Sequence, residues 1–598
     1  MLRSISAAAA VLPLLSAACA GPPSAPDPEA AAAEAQRLAA VFEEFFEESL
    51  ERNPIQATQI GDPRYNDRLS NFLSAEYRAE GQAFDRRWIE RVSGFDRDLL
   101  SGQDRLSYDV FLYNRELSLA GDRFPSWMIP INQFFSLPSF FAQLGSGDSI
   151  QPFATEKDYR DFLSRIDGIV TVLDQAIANM REGVEAGVVQ PRVLMEKVLP
   201  QLEAHLVDDP EESVFWRPVA SFPEEVPETV RPELEAAYRA AITDKLVPVY
   251  RRLRDYIRDD YLPATRETFA LTALPDGDAW YAYMIRAMTS IEADPEEVHR
   301  FGLSEVERIT GEMEGVMAAV GFEGTLHDFF THLETSDEFY FDDPEELLDG
   351  YRALRDEIDA KLPKLFDIFP KAGYEIREVP EFMAQSSAGA SYQAPTPDGS
   401  RPGVFWVNTY NLRAQPRFGM ETLSIHEASP GHHFQISIAQ EIEELPRFRR
   451  FGGVSAYFEG WALYAESLGK ELGMFTDPYQ WYGRLSDEML RAMRLVVDTG
   501  IHHRGWSRQQ AIDYMMEHSS LAETDVVAEV ERYIAFPAQA LGYKLGQRVI
   551  ADLRAEAEAE LGDAFDLRAF HRAILEDGAL PLPVLERKIR EWLADRAG

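Results

Sequence analysis

Apolar residues recur at helical spacing along almost the whole chain after residue 30, and this periodicity constrains the fold more than any other feature. In residues 33–51, Leu38, Val41, Phe42 and Phe45 lie on one helical face, with acidic residues on the opposite face. The same pattern continues in residues 157–186, 231–261 and 291–320. Two predicted helices start with Asp-Pro-Glu-Glu, which supplies an N-cap aspartate, a proline at the first helical position and a glutamate two residues later. The sequence therefore predicts a mainly α protein.

The pattern changes between residues 374 and 410. Residues 374–379 alternate with period two, and residues 391–394 and 403–408 are β-prone segments on either side of the turn signal Pro397-Asp-Gly399. Because 598 residues exceed one typical hydrophobic core, we expect two lobes. We predict a helical N-terminal region over residues 31–370, and a second region over residues 371–598 that holds a small sheet and further helices.

The first twenty residues have the features of a secretory signal peptide: Arg3, an apolar run over residues 7–15, then small residues. Cys19, the single cysteine, ends this segment, in a sequence that resembles a bacterial lipoprotein signal whose leucine stands one position early. Ordinary cleavage after Ala18-Cys-Ala20 is the alternative. Residues 21–30 are Pro-rich and predict a tether. We expect an exported protein of a bacterium, periplasmic or anchored in the outer membrane through a lipid on Cys19.

The charge balance excludes two classes of partner. The chain has 59 Lys and Arg residues against 101 Asp and Glu residues, a formal charge of −42. Nucleic acids and anionic lipid surfaces both bind clustered basic side chains, so neither is an expected partner. The oligomeric state is not determined by these features.

A group of histidines marks the most unusual segment of the chain. His426 is followed directly by Glu427, and His432 and His433 lie six and seven residues further on, after Pro430-Gly431. In the His-Glu-x-x-His zinc helix, two imidazoles one turn apart bind the metal, and the glutamate acts as general base on the metal-bound water. The sequence here has the same order of residues with a wider spacing.

The wider spacing requires a break in the helix. In an unbroken helix, position i+6 lies ~120° off the face of position i, and position i+7 lies ~10.5 Å along the axis. Neither geometry suits two Zn–N bonds of about 2 Å. Pro430-Gly431 interrupts the helical hydrogen bonds, so a bulge or kink can return a later histidine to His426. The spacing leaves open whether His432 or His433 is the ligand.

Two glutamates on the next predicted helix complete the candidate site. Glu459 is surrounded by apolar residues, and an acid in such a setting must be paired or coordinate a metal. We predict that Glu459 is the third ligand of one Zn²⁺ ion. Glu466 falls two turns later on the same face, where it could orient a ligand histidine from behind.

These motifs resemble those of the "domain of unknown function 885" family, bacterial proteins that are similar to zinc metallopeptidases. The resemblance covers most of the chain after the signal segment, and further matches lie in residues 400–403, 407–409, 494–502, 532–533 and 539–544. It implies a two-lobed helical fold like that of the gluzincin peptidases, with the region over residues 31–370 forming a cleft wall. It also implies the ligands His426, His432 and Glu459, with Glu427 as base, and favours His432 over His433.

Other residues are candidates for substrate binding and transition-state stabilisation. His502, in a segment that we expect to join two helices, is the first candidate donor to a tetrahedral oxyanion, and Tyr533 and Tyr543 are the next. Arg532 and Lys544 could bind a substrate carboxylate.

A substrate strand could add to the predicted sheet. Residues 403–408 are predicted to form an edge strand beside the zinc helix. Such a strand could hold an extended peptide by backbone hydrogen bonds, and Asn408 is the candidate substrate-binding residue. We therefore expect a zinc-dependent hydrolase of peptide or related amide bonds, either a carboxypeptidase or an oligopeptidase acting on short peptides. The alternatives are a non-catalytic, zinc-containing binding lipoprotein and an amidase that acts on non-peptide or cell-wall substrates.

Overall fold

The structure is a computed structural model that describes residues 27–134, 136–379, 384, 389–396 and 402–597. The predicted signal segment, its Cys19 and the Pro397-Asp-Gly399 turn lie outside the described residues. The first helix begins at Pro28, inside the segment predicted as a tether, and Asp27 caps it by accepting a hydrogen bond from the Glu29 N–H.

The chain up to residue 361 is helical, as the periodicity predicted. The helices of this part are α1 Pro28–Arg52, α2 Pro54–Gln59, α3 Ala75–Ser93, α4 Gly102–Gly121, α5 Leu137–Leu144, α6 Glu156–Ala186, α7 Arg192–Glu203, α8 Arg217–Ala220, α9 Arg231–Ala241, α10 Val247–Tyr256, α11 Gly277–Thr289, α12 Pro295–Ala319, α13 Leu326–Thr335 and α14 Pro344–Lys361. Asp294 and Asp343 cap α12 and α14, because each side chain accepts a backbone N–H of the first turn. Both predicted caps are therefore confirmed.

Helices resume after the sheet and continue almost to the last residue. They are α15 Met420–Glu427, α16 His432–Glu441, α17 Arg447–Arg450, α18 Ser455–Ser467, α19 Gly469–Leu472, α20 Pro478–His502, α21 Arg508–His518, α22 Glu523–Ala535, α23 Leu541–Leu561, α24 Leu567–Leu575 and α25 Leu582–Ala597. Among the described helices, none has the length and apolarity needed to cross a membrane.

Hydrophobic cores join the two predicted regions. One core lies within the helices α5–α10 of the N-terminal region. Other cores combine residues from both sides of position 370, because α12 packs along α20. A side chain at Gly302 in α12 would come within 2.8 Å of Leu495 and Val496 in α20, so the glycine permits this close approach.

The predicted small sheet is present and has three described strands. They are β1 Tyr374–Glu378, β2 Ala390–Gln393 and β3 Gly403–Val407, in the spatial order β1-β3-β2. The strand β3 pairs in parallel with β1, Tyr374 opposite Gly403, and antiparallel with β2, Ala390 opposite Val407. The prediction that β3 is an edge strand is therefore wrong, because both of its edges already pair. The strand β2 contacts α15 and α16, which places the sheet beside the predicted zinc helix.

Candidate metal centre

The segment between α15 and α16 turns sharply, and this turn builds the site. The helix α15 ends at Glu427, and Ala428 leaves the helical region with φ −106° and ψ −107°. A Cβ at Gly431 would lie 1.9 Å from the His426 carbonyl oxygen, so a glycine is required for the chain to pass this close. The predicted kink is thus a complete break that starts a new helix at His432. It brings that residue back to His426.

A tryptophan of the helix α18 hydrogen-bonds to this turn. The Trp461 indole N–H donates a 2.8 Å hydrogen bond to the Pro430 carbonyl oxygen, and the Trp461 side chain is fully buried. This bond satisfies a carbonyl that the broken helix leaves without a helical partner. Because Glu459 lies two residues before Trp461 on the same helix, the contact also sets the position of Glu459 against the turn.

His426, His432 and Glu459 present one ligand atom each within 4.8 Å of one another. The Glu459 Oε2 atom lies 3.7 Å from His426 Nε2 and 3.5 Å from His432 Nε2. Three donors that each lie about 2 Å from one zinc ion are separated by distances of this size. Within the described part of the chain, the buried Glu459 Oε2 has no hydrogen-bond partner. A buried carboxylate oxygen without a partner fits a cation at this point.

The charges within the triad are strongly coupled. Burial alone raises the pKa of Glu459, but the attraction of the His426 and His432 imidazoles, 3.7 and 3.5 Å from its Oε2 atom, outweighs it and holds the pKa well below its usual range. Burial lowers the pKa of His426, but the neighbouring Glu459 carboxylate and the hydrogen bond to Glu466 prevail and raise it to about 10. The triad therefore stabilises positive charge, whether a proton or a metal ion supplies it.

Glu466 orients the first histidine. Its side chain is fully buried, and its Oε1 atom accepts a 2.7 Å hydrogen bond from His426 Nδ1. The bond places the ring proton on Nδ1 and leaves Nε2 facing Glu459. Ligand histidines in zinc proteins are held by carboxylates in this way. This is the position that the i, i+7 spacing predicted for Glu466.

His433 points away from the triad. Its Nδ1 atom accepts a 2.8 Å hydrogen bond from the Tyr392 hydroxyl of β2, and its ring also hydrogen-bonds the Ala372 backbone. Burial lowers the pKa of His433 to about 4, so the ring stays neutral. The His433 ring is therefore engaged at the sheet, and of the two histidines that the spacing left open, His432 is the one that lies 3.5 Å from Glu459.

Glu427 lies beside the triad at the last position of α15. Its side chain is partly exposed, and no hydrogen bond or ion pair ties its carboxylate to another described residue. The charge of Glu427 also acts on Tyr351, whose pKa is raised by burial and further by the charges of Asp487 and Glu427. The Tyr351 ring in turn packs on Phe405 of β3. Glu427 thus offers a carboxylate without a partner among the described residues, one position after His426.

His502 occupies a different place from the one predicted. It is the last residue of α20, and not part of a loop, and it is fully buried. Its Nδ1 atom accepts the Leu271 N–H at 2.9 Å, and its Nε2 atom donates to the Tyr533 carbonyl oxygen at 3.0 Å. Burial lowers its pKa to about 4. Because both ring nitrogens bind the backbone, the geometry gives His502 a structural role.

Three further candidates are held by partners in the protein. Lys544 is buried between Glu305 and Glu488, at 2.8 and 2.5 Å. Arg532 uses Nε and Nη2 on Glu529 and Nη1 on Gln539, while the Asn408 amide donates to the Ala384 carbonyl oxygen. None of these contacts leaves the group directed at the triad. The substrate-binding roles predicted for Lys544, Arg532 and Asn408 are therefore not supported by this geometry.

The two tyrosine candidates differ in position. The Tyr533 hydroxyl donates a 2.5 Å hydrogen bond to Glu529 and is buried. Burial raises the pKa of Tyr543, and the charge of Glu459 raises it further, which places Tyr543 near the metal triad. Tyr543 is partly exposed, and the Arg494 guanidinium packs over its ring, with no hydrogen bond to its hydroxyl from the described residues. Tyr543 is therefore the tyrosine that can meet a substrate.

Two arginines of α20 also border this region; one of them, Arg494, begins the segment 494–502 that carries part of the family resemblance, and it is a cation able to offset the negative charge of the chain near the motifs. Arg491 and Arg494 are both buried, and the charge of each acts on the pKa of Tyr543. The sequence signal for them is a row of charged residues at helical spacing within an otherwise apolar helix, from Arg484 to Asp498. Such a row is unusual because buried charges require partners.

The family of the chain follows from a comparison of its sequence. Residues 54–589 match the family model described as "Bacterial protein of unknown function (DUF885)". The chain belongs to this family. The resemblance predicted from the segments around His426 and Glu459 is therefore confirmed.

Solved structures share the fold of this DUF885 protein. A "putative lipoprotein" from Colwellia psychrerythraea has a TM-score of 0.86 and 30% sequence identity, and the match covers 94% of this chain and 99% of that one. A "putative lipoprotein of unknown function" from Shewanella oneidensis has a TM-score of 0.72 at 19% identity, covering 92% and 99%, and shows the fold alone. A "putative oligoendopeptidase F" from Bacillus anthracis str. Ames, with a TM-score of 0.31 and 12% identity over 96% and 97%, is too dissimilar to support an argument. No curated protein matches the chain.

Proposed function

We propose that this protein is a zinc-dependent hydrolase of peptide or related amide bonds that acts on short peptides as a carboxypeptidase or oligopeptidase. One observation carries the proposal: the unpartnered, buried Glu459 oxygen lies between His426 and His432, with the free carboxylate of Glu427 one residue after a ligand. A binding site for a metal needs the three ligands, but it does not need a free carboxylate beside them.

The donor set favours a catalytic zinc site. Structural zinc sites are closed by four protein ligands, whereas catalytic sites have three protein ligands and an open position. His426, His432 and Glu459 are the three such ligands within the described residues. Zn²⁺ bound there would polarise a substrate carbonyl and lower the pKa of a water molecule.

The surrounding residues supply the proton transfers and the charge stabilisation. Glu427 would take a proton from the attacking water and deliver it to the leaving amine. The Tyr543 hydroxyl would donate a hydrogen bond to the oxygen that becomes negative as the carbonyl is attacked. Glu466 would keep His426 in the tautomer and orientation that the site requires, through its 2.7 Å hydrogen bond.

The test is hydrolysis of a mixed peptide library, with products identified by mass spectrometry. We expect the wild type to cleave short peptides and Glu427→Gln to retain zinc but lose hydrolysis. Glu421→Gln is the matched control: it removes a carboxylate from the same helix, but that carboxylate accepts the Phe475 N–H and does not face the triad. If the zinc-loaded wild type cleaves no peptide, the proposal is wrong, and if it cleaves only non-peptide amides, the protein is an amidase.

We also propose that the protein is exported and carries a lipid on Cys19. The sequence of residues 1–20 supports this, together with the description of its relative from Colwellia psychrerythraea as a putative lipoprotein. The test is incorporation of labelled palmitate into the wild type and into Cys19→Ser, with label expected in the wild type alone. Equal labelling of the two proteins would contradict it.

A further inference from the structure

Three arginines of α20, Arg484, Arg491 and Arg494, have a buried guanidinium nitrogen without a partner among the described residues, and the last two lie nearest the candidate site. Arg494 is 7% exposed, and its Nε and Nη2 atoms donate to Glu529 at 3.2 and 2.9 Å. Arg491 is 8% exposed and pairs with Asp487 at 3.2 Å. Among the described residues, Arg494 Nη1 and Arg491 Nε find no hydrogen-bond acceptor. Buried donors without acceptors are rare in proteins and require an explanation.

These groups lie beside the metal triad. The Arg494 guanidinium packs over the Tyr543 ring, 4.5 Å from its centroid. The helix α20, which carries both arginines, packs against α15, which carries His426, and the charges of Arg494, Arg491 and Glu459 all act on the pKa of Tyr543. Arg491 also lies close enough to His426 for its charge to act on that imidazole.

Nearby cations do not offer the same chemistry. Arg532 has its donors engaged by Glu529 and Gln539, and Lys544 is enclosed by two glutamates. The unpartnered Arg494 Nη1 and Arg491 Nε can each donate to a carboxylate oxygen, and such charge-assisted bonds are stronger than neutral ones. In a chain of formal charge −42, cations beside the triad are also the groups able to attract an anionic substrate.

We infer that Arg491 and Arg494 bind the free C-terminal carboxylate of a peptide substrate, with the Tyr543 ring holding Arg494 in place. The substrate class is therefore a short peptide with an unblocked C-terminus. This inference rests on the proposed function, since it assigns the recognition element of the same site. The alternative is a purely structural role, in which the two arginines only neutralise the buried acids Glu466, Asp487 and Glu529.

Binding to an inactive protein separates the two explanations. The zinc-loaded Glu427→Gln protein is titrated calorimetrically with N-acetyl-trialanine and with its C-terminal amide. These probes differ only in the terminal charge. We expect the acid to bind roughly 10- to 100-fold more tightly than the amide, because a charge-assisted pair of hydrogen bonds is lost in the amide. Equal dissociation constants, or no binding of either probe, would overturn the inference.

Variants of α20 assign the effect to Arg494. In Arg494→Met, also in the Glu427→Gln background, we expect the ratio between acid and amide to fall to about one. Arg484→Met is the matched control, because Arg484 is a buried arginine of the same helix with a free Nε, but it pairs with Glu488 and does not act on Tyr543. Its ratio should stay unchanged. A ratio that survives Arg494→Met, or that falls equally in Arg484→Met, would count against the inference.

Two further measurements keep the test decisive. Arg494→Lys retains the charge that pairs with Glu529 and should fold, but it loses the planar fork, so we expect an intermediate ratio. Hydrolysis by the wild type separates the two proposals. Equal kcat/KM for acid and amide would overturn the inference and leave the proposed function intact. Preferential binding of the acid without any hydrolysis would support the inference and contradict the proposed function.

Discussion

Substitution of Glu466 tests whether a residue that holds a ligand histidine, without being a ligand itself, contributes to zinc affinity. Its fully buried Oε1 atom accepts the His426 Nδ1–H at 2.7 Å, and its charge helps to raise the pKa of that imidazole. Outer carboxylates of this kind contribute about 10- to 100-fold to metal affinity. Glu466→Gln keeps an acceptor oxygen and loses only the charge. We therefore expect zinc affinity to fall by the low end of this range, about 10-fold or about 1.4 kcal/mol.

A larger perturbation at the same position should follow the same reasoning. Glu466→Ala removes the acceptor as well as the charge, so we expect about 100-fold weaker zinc binding. Zinc affinity is measured by competition with a chromophoric chelator at fixed pH, and thermal unfolding shows that each variant is folded. Glu471→Gln is the control, because it removes an acid paired with Arg554 at 2.8 Å on the neighbouring helix.

Either of two results would refute this reasoning. If both Glu466 variants bind zinc as tightly as the wild type, the hydrogen bond to His426 does not support the metal. If Glu471→Gln weakens zinc binding as much as Glu466→Gln does, the effect belongs to the net charge of the region.

Three other predictions concern the turn, the ligands and a buried acid. Gly431→Ala should weaken zinc binding by more than about 10-fold, because its Cβ would lie 1.9 Å from the His426 carbonyl oxygen; unchanged affinity would contradict this. Zinc must displace the proton that the raised pKa of His426, about 10, retains at neutral pH, so its apparent affinity should rise about 10-fold per pH unit between pH 6 and 8. A flat chelator-competition profile would argue against this. Burial raises the pKa of Asp498 to about 7, so its protonated form stabilises the fold below about pH 4 and this contribution is lost towards pH 7. The unfolding free energy of the wild type minus that of Asp498→Asn, from urea titrations, should therefore fall by up to about 4 kcal/mol over this range, and a constant difference would refute it.

Features set by neighbouring residues were predictable from the sequence. The helical periodicity, the caps at Asp294 and Asp343 and the strand-forming segments depend on contacts within one element. The break at Pro430-Gly431 is equally local, because proline and glycine decide the backbone there. The break makes the wide histidine spacing compatible with a metal site.

Features set by distant partners were not predictable. The place of β3 in the middle of the sheet depends on its parallel pairing with β1, which residue types do not specify. His502 resembled a loop histidine, but its partners Leu271 and Tyr533 come from other helical segments. The spacing alone left His432 and His433 open; the family resemblance favoured His432, and the hydrogen bond that holds His433 to the Tyr392 hydroxyl depends on a distant strand.

The zinc content of three purified proteins tests the central claim most directly. We expect about one zinc ion per chain in the wild type and in His433→Ala, and almost none in His432→Ala, because His432 faces Glu459 whereas His433 faces the sheet. Elemental analysis after dialysis against metal-free buffer gives the answer. Zinc that survives His432→Ala and is lost from His433→Ala, or a wild type that binds none, would contradict the account.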